Sequence, residues 1–137
     1  MPVEIDITYE GDLHCRAVHG PSGAVIQTDA PVDNQGRGEA FSPTDMLATS
    51  LGVCMMTVMG IFARRHEIDL VGSKVHVVKD MVADPDRRVS KLTVTIDLPG
   101  SVPQEWRAPL ERAGMNCPVH KSLPESVERP VTFRYSL

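Results

Sequence analysis

An α+β fold is what this sequence predicts, and three observations predict it. Apolar and polar residues alternate with the period of a strand near both ends of the chain, at Val3 to Glu10 and at Val131 to Tyr135. Between them lies a segment, Leu51 to Ala63, with almost no polar side chain and helical spacing. A second period-two pair, around Val75 to Met81 and Lys91 to Leu98, follows that segment. With 137 residues, 42% of them hydrophobic, the chain is long enough to bury a core yet short for more than one, so residues 1–137 are expected to form a single domain.

Val3, Ile5, Ile7 and Tyr9 alternate with Glu4, Asp6, Thr8 and Glu10, the pattern of a half-buried strand turned by Gly11-Asp12. Leu13 to Val18 and Ala24 to Thr28 read as two more strands around the turn Gly20-Pro21-Ser22-Gly23, which completes a three-stranded meander. A polar loop, Ala30 to Ala40, follows. The long helix has Ser42 as N-cap, Pro43 at its first position, Asp45 in the first turn and Arg64-Arg65-His66 in the last, so both ends suit the helix dipole. Gly52 and Gly60 each cost about 1 kcal/mol relative to Ala inside a helix, which points to another element packed very close. Val71, Val75, Val77 and Met81 share one strand face, Asp84-Pro85-Asp86 turns the chain, and Leu92, Val94, Ile96 and Leu98 line the return strand. Pro103 to Gly114 reads as a helix, and a short helical turn from Pro118 stops before Pro124. Val131, Phe133 and Tyr135 form the closing strand. One subunit has too few elements to cover the long helix on every side, so a homodimer is expected in which two such helices pack together under sheets from both chains.

A formal net charge of -4 leaves no basic stripe for nucleic acid. No membrane association is expected either. The start, Met1-Pro2-Val3-Glu4-Ile5-Asp6, lacks a basic flank and an apolar stretch, and no uninterrupted apolar run reaches the roughly 18 residues that span a bilayer. The cytoplasm is therefore the expected location. Three cysteines, an odd number, fit thiol or metal chemistry better than a disulfide framework. One Trp, two Tyr and three Phe are too few for a stacking platform. No Gly-rich loop follows a strand, so no nucleotide cofactor is expected, nor any other.

The cysteines carry the chemistry. Cys54 sits about three turns into the long helix, on a face shared with Leu47, Ser50, Leu51, Val58 and Ile61. A lone cysteine there packs as a small hydrophobe, and burial raises a thiol pKa, so a reactive Cys54 would need an imported cation. Cys117 precedes Pro118, which pushes it out of the α region and makes it the N-cap of the short helix, where unpaired amides lower a thiol pKa. A small residue tolerated at a cap is the alternative. Cys15, between Leu13 and Ala17 on the inner face of a strand, reads as structural. His120 stands three residues after Cys117, but Cys-x-x-His offers only two of the four ligands that structural zinc requires, so no metal is expected and the histidine reads as a surface or interface residue.

Ser42-Pro43-Thr44-Asp45-Met46-Leu47-Ala48-Thr49-Ser50-Leu51-Gly52-Val53-Cys54, followed sixty-three positions later by Asn116-Cys117-Pro118-Val119-His120-Lys121-Ser122-Leu123, resembles the OsmC/Ohr family, as do Tyr9-Glu10-Gly11-Asp12 and the order of elements. The resemblance implies an OsmC-like fold, antiparallel sheets wrapped around central helices in an intertwined homodimer, with active sites at the subunit interface. It further implies that Cys54 is the peroxidatic cysteine and Cys117 the resolving one, that hydroperoxides are the substrates, and that a dithiol, lipoyl among them, is the reductant. Family hydroperoxidases carry a glutamate ten residues before the peroxidatic cysteine, paired with an arginine of an early strand. Here that position is Thr44. Arg16 is the first candidate for the activating cation and Arg37 the reserve. The departure places the chain with the divergent OsmC-like branch and leaves two functions in contention. One is a thiol-dependent peroxidase of oxidative-stress defence. The other is a dimeric small-molecule binding or redox-sensing protein.

Overall fold

The computed structural model describes every residue from Met1 to Leu137, and these form two compact units, Met1–Leu47 and Ala48–Leu137. In the first unit the alternating N-terminal segment becomes β1 (Ile5–Gly11), which pairs antiparallel with β2 (His14–His19), which pairs in turn with β3 (Val25–Asp29). The meander is as the sequence predicts, but the half-burial of β1 is not. Ile5, Ile7 and Tyr9 are 58, 68 and 63% exposed, so the apolar face of β1 has no cover within its own unit.

The loop after β3 contains a single 3-10 turn, Val32–Asn34. Two ties hold it. The Arg37 guanidinium donates to Asp12 Oδ2 at 2.6 Å, and the nearly buried Asp29 accepts the Glu39 amide at 3.1 Å while its other oxygen meets His14 Nδ1 at 2.6 Å. The His14 ring also reaches Gln27 Oε1 at 3.0 Å, so both nitrogens face acceptors and the cation is favoured. The hydrogen bond to Asp29 raises the His14 pKa above its ordinary 6.5, and the same bond lowers that of Asp29 below 3.8. The stability contributed by His14 is therefore complete below 6.5 and is lost as pH rises through its raised value; that of Asp29 is present above 3.8 and is lost as pH falls through its lowered value. His14→Gln should flatten the fall of thermal stability as pH rises above 6.5, read as Tm against pH. An unaltered slope would show that this pair does not hold the loop.

α1 (Pro43–Arg65) begins in the first unit and runs on through the second. Ser42 caps it reciprocally: its hydroxyl accepts the Asp45 amide at 3.0 Å, and the Asp45 carboxylate accepts the Ser42 amide at 3.0 Å. This is the capping-box arrangement with Asp in place of Glu. By length and composition α1 can cross a membrane, with a mean hydropathy of 1.9 over its 23 residues' best window. Thr49, Ser50 and Thr57 interrupt the apolar run while barely lowering the mean. The central helix of a globular core has the same composition.

In the second unit, Ala48, Leu51, Gly52, Met55, Met59 and Ala63 make the buried face of α1. β4 (Lys74–Val82) and β5 (Arg88–Asp97) pair antiparallel and contribute Val89, Leu92, Val94 and Ile96 to the core. Gly52 is where β4 crosses the helix: a Cβ there would stand 2.9 Å from Val77 and 3.1 Å from Val75. Val71 lies outside β4 and is exposed, because the strand starts only at Lys74. α2 (Gln104–Met115) is fixed to the end of α1 by aromatic contacts, with His66 stacked on Trp106 at 4.2 Å and Phe62 at 4.5 Å from His66. The tail is fastened to α2 by the Tyr135 hydroxyl, which donates to Glu111 at 2.9 Å, while Arg107 lies over the ring at 4.3 Å.

β6 (Val131–Arg134) joins β5 in parallel, so this second sheet is mixed rather than wholly antiparallel. The reason is topological. β5 is followed by α2 and α3 (Pro118–Ser122), a crossover that returns the chain to the same end of the sheet.

Candidate functional site

Cys117 follows the close of α2, where the Asn116 amide donates to Ala113 O at 3.1 Å, and opens α3. Pro118 at the first helical position holds Cys117 extended, at φ -79° and ψ 150°, so its side chain turns back over the helix start. There Cys117 Sγ accepts the His120 amide at 3.3 Å. The other end of α3 is held by Arg129, whose Nη1 donates to His120 O at 2.6 Å and to Leu123 O at 3.2 Å. Five residues are too few for a helix to persist unaided, and these two clamps replace the missing length.

Cys54 comes from the middle of α1, half-buried, and its thiol lies within hydrogen-bonding reach of the fully buried Cys117 thiol. Both are free thiols. Burial raises the Cys117 pKa above its ordinary 9.0; the amides of His120 and Val119 work against that rise, and the neighbouring Cys54 adds to it. The N-cap position was expected to lower this pKa. Desolvation outweighs the two amides because the sulfur has no solvent exposure.

The other sequence-predicted residues stand elsewhere. Arg16 is exposed on β2, paired in register with Thr8 and Gln27, and no carboxylate binds it. Arg37 is taken up by Asp12 and, at 4.0 Å, by Glu39. Cys15 is half-buried and lines a cavity of about 330 Å³ with Tyr9, Leu13, Pro31 and Pro43. The Thr44 hydroxyl meets that of Ser42 at 3.2 Å, which makes it part of the helix cap. Arg129 was not foreseen. It lies outside both cysteine motifs, and nothing in its local sequence marks it as the clamp of a helix that ends seven residues earlier.

A groove of about 640 Å³ runs along the second half of α1, lined by Met56, Gly60, Ala63, Ile68 and Leu70 among others. Gly60 sits in it with nothing within 4 Å of where its Cβ would be. Within the protomer, then, Gly52 has the close neighbour the sequence called for and Gly60 does not.

The family model for OsmC-like proteins matches residues 36–130. Among solved structures, a protein from Psychrobacter arcticus described as an osmotic stress induced and detoxification response protein is 46% identical, with a TM-score of 0.89 over 94% of this chain and 93% of that one. An organic hydroperoxide resistance protein OsmC from Legionella pneumophila has a TM-score of 0.77 at 12% identity, covering 98% of this chain and 97% of its own. An OsmC-like protein from Mycoplasma pneumoniae has a TM-score of 0.82 at 14% identity, covering 100% and 99%. The latter two bear on the fold alone. No curated protein matches the sequence.

Proposed function

Because the chain belongs to the OsmC-like protein family, we propose that it is a thiol-dependent peroxidase that reduces hydroperoxides with Cys54 as peroxidatic and Cys117 as resolving cysteine. The observation that carries this reading is the contact between the two thiols, one half-buried and approachable, the other buried behind it. The Cys54 thiolate attacks the terminal oxygen of a hydroperoxide, the O–O bond breaks, an alcohol leaves, and a sulfenic acid remains. Cys117 condenses with it to form a disulfide and release water. A dithiol reductant, lipoyl or similar, restores both thiols, its second sulfur closing the exchange intramolecularly.

The active form in this proposal is a cytoplasmic homodimer in which both units of each chain make one OsmC-like domain. The exposed apolar face of β1, the exposed Val53 and Ile61 of α1, and the open groove at Gly60 support it, since so much uncovered apolar surface marks an interface. The same packing would bury α1 in protein rather than lipid. Arg16 is the proposed activating cation, by resemblance. Thr44 in place of the family's glutamate, and an Arg16 without a carboxylate partner, favour a second reading: a dimeric binding or redox-sensing protein that oxidises once and turns over poorly.

Turnover with a dithiol separates the two. With tert-butyl hydroperoxide and dihydrolipoamide in excess, peroxide should disappear catalytically, and Arg16→Met should slow the first oxidation step. Consumption that stops after a single equivalent per subunit would favour the sensor.

A further inference from the structure

Arg129 holds α3 from a part of the fold that the sulfur chemistry does not touch. The residues on either side of it are pinned to β5: the Glu128 amide donates to Ser90 O at 3.0 Å, the Leu92 amide donates to Glu128 O at 2.8 Å, and the Val94 amide donates to Pro130 O at 2.9 Å. Leu92 and Val94 are fully buried, so this edge of the sheet belongs to the core. From there the half-buried Arg129 reaches back along the chain to His120 O at 2.6 Å and Leu123 O at 3.2 Å. Both carbonyls lie at the C-terminal end of α3, where a helix leaves them unpaired and a cation is favoured. An arginine keeps that charge at every working pH. The other end of α3 is held by the reacting group itself, because Cys117 Sγ accepts the His120 amide at 3.3 Å. The sulfur that caps the helix is the sulfur that must react, whereas the Arg129 hold is independent of redox state.

We propose that Arg129 is a positioning residue for the resolving step: by anchoring α3 to β5 it sets the effective concentration of the Cys117 thiol at Cys54, a role that rests on the peroxidatic reading above. Once the hydroperoxide has oxidised Cys54 to the sulfenic acid and left as alcohol, Cys117 Sγ attacks the Cys54 sulfur. The S–S bond forms, the S–O bond breaks, and the thiol proton leaves with the hydroxide as water. Arg129 touches neither sulfur and moves no proton. Its contribution is geometric: Cys54 stands on α1 and Cys117 at the start of a five-residue turn, and a turn that short frays when its far end is released. A displacement of about 1 Å between reacting groups costs on the order of 10²-fold in rate. The same fraying lowers the stability of the disulfide once formed, because rate and equilibrium share the cost of bringing the sulfurs together.

Rapid mixing of the full-length protein with tert-butyl hydroperoxide, followed by dimedone trapping of sulfenic acid and by thiol counting, resolves the two steps. In Arg129→Met sulfenic acid should form at the wild-type rate, while the disulfide forms roughly 10-fold to 10²-fold more slowly. Its Cys54–Cys117 potential, titrated against dithiothreitol with no peroxide present, should become more oxidising by about 30 mV for each tenfold of effective concentration lost. Arg129→Lys keeps the charge on a single donor group and should fall between wild type and Arg129→Met in both readings. Arg129→Gln, which keeps an N–H donor without the charge, repeats the test should the Met variant not fold. The ratio of the two steps and the potential are insensitive to a general loss of stability, which would leave both unmoved. A wild-type ratio or an unshifted potential in the folded neutral variant would overturn the positioning role alone. A wild-type protein that forms no sulfenic acid would overturn the peroxidatic reading and, with it, the resolving step that Arg129 serves.

Discussion

Replacing Cys54 by serine should abolish hydroperoxide consumption, lowering it on the order of 10³-fold or more, as the loss of a nucleophile does elsewhere. Replacing Cys117 by serine should have a different signature. The first equivalent of peroxide is still consumed, because Cys54 is the less buried member of the pair, but the sulfenic acid persists, reacts with dimedone and over-oxidises with further peroxide. The structural cost of these changes differs too. Cys117 Sγ accepts the amide that starts α3, and a serine hydroxyl is itself a preferred N-cap, so the short helix survives. Peroxide consumption measured in a dye-based assay, alongside intact mass after one equivalent, distinguishes the two variants. A Cys54→Ser protein as active as wild type would move the chemistry away from this pair.

Placing an aspartate at Val53 should split the proposed homodimer and remove activity with it. Val53 is 59% exposed and Ile61 42% exposed in the protomer, on the side of α1 away from its buried face. In a two-fold dimer the substitution occurs twice. Each buried, unpaired carboxylate costs several kcal/mol, enough to outweigh much of an ordinary interface. Light scattering should show the mass fall by half, with the far-UV circular dichroism spectrum of the protomer retained. Ile61→Asp should behave alike, whereas Thr57→Ser, on the same side and exposed, should leave the dimer intact. A wild-type protein that scatters as a monomer would refute the interface outright.

Local chemistry explains which parts were legible in the sequence. The meander was, because Ile5, Ile7 and Tyr9 alternate with polar residues and Gly20-Pro21-Ser22-Gly23 breaks the chain between the second and third strands. The ends of α1 were, through Ser42-Pro43 and Arg64-Arg65, since caps are chosen by residues next to one another. So was the N-cap position of Cys117, which Pro118 dictates. What escaped depends on distant partners. The parallel pairing of β6 is decided by where the α2–α3 crossover delivers the chain, and Val131 to Tyr135 would alternate identically in an antiparallel strand. The raised pKa of Cys117 reflects desolvation by residues far off in sequence, which a capping argument does not count. Arg129 as the clamp on α3 and the orphaned nitrogen of His120 are likewise properties of the folded packing. Gly60 is instructive in the other direction: a helix-weakening residue read as a sign of close packing proved to have no neighbour in its own chain.

Peptide mapping of the protein after one equivalent of hydroperoxide, under alkylation without reductant, tests the sulfur pair most directly. The expected product is a cross-link between the peptide containing Cys54 and the peptide containing Cys117, within one chain, with Cys15 still alkylated as a free thiol. Three alkylated cysteines, or a bond that joins Cys15 to either of the others, would contradict it.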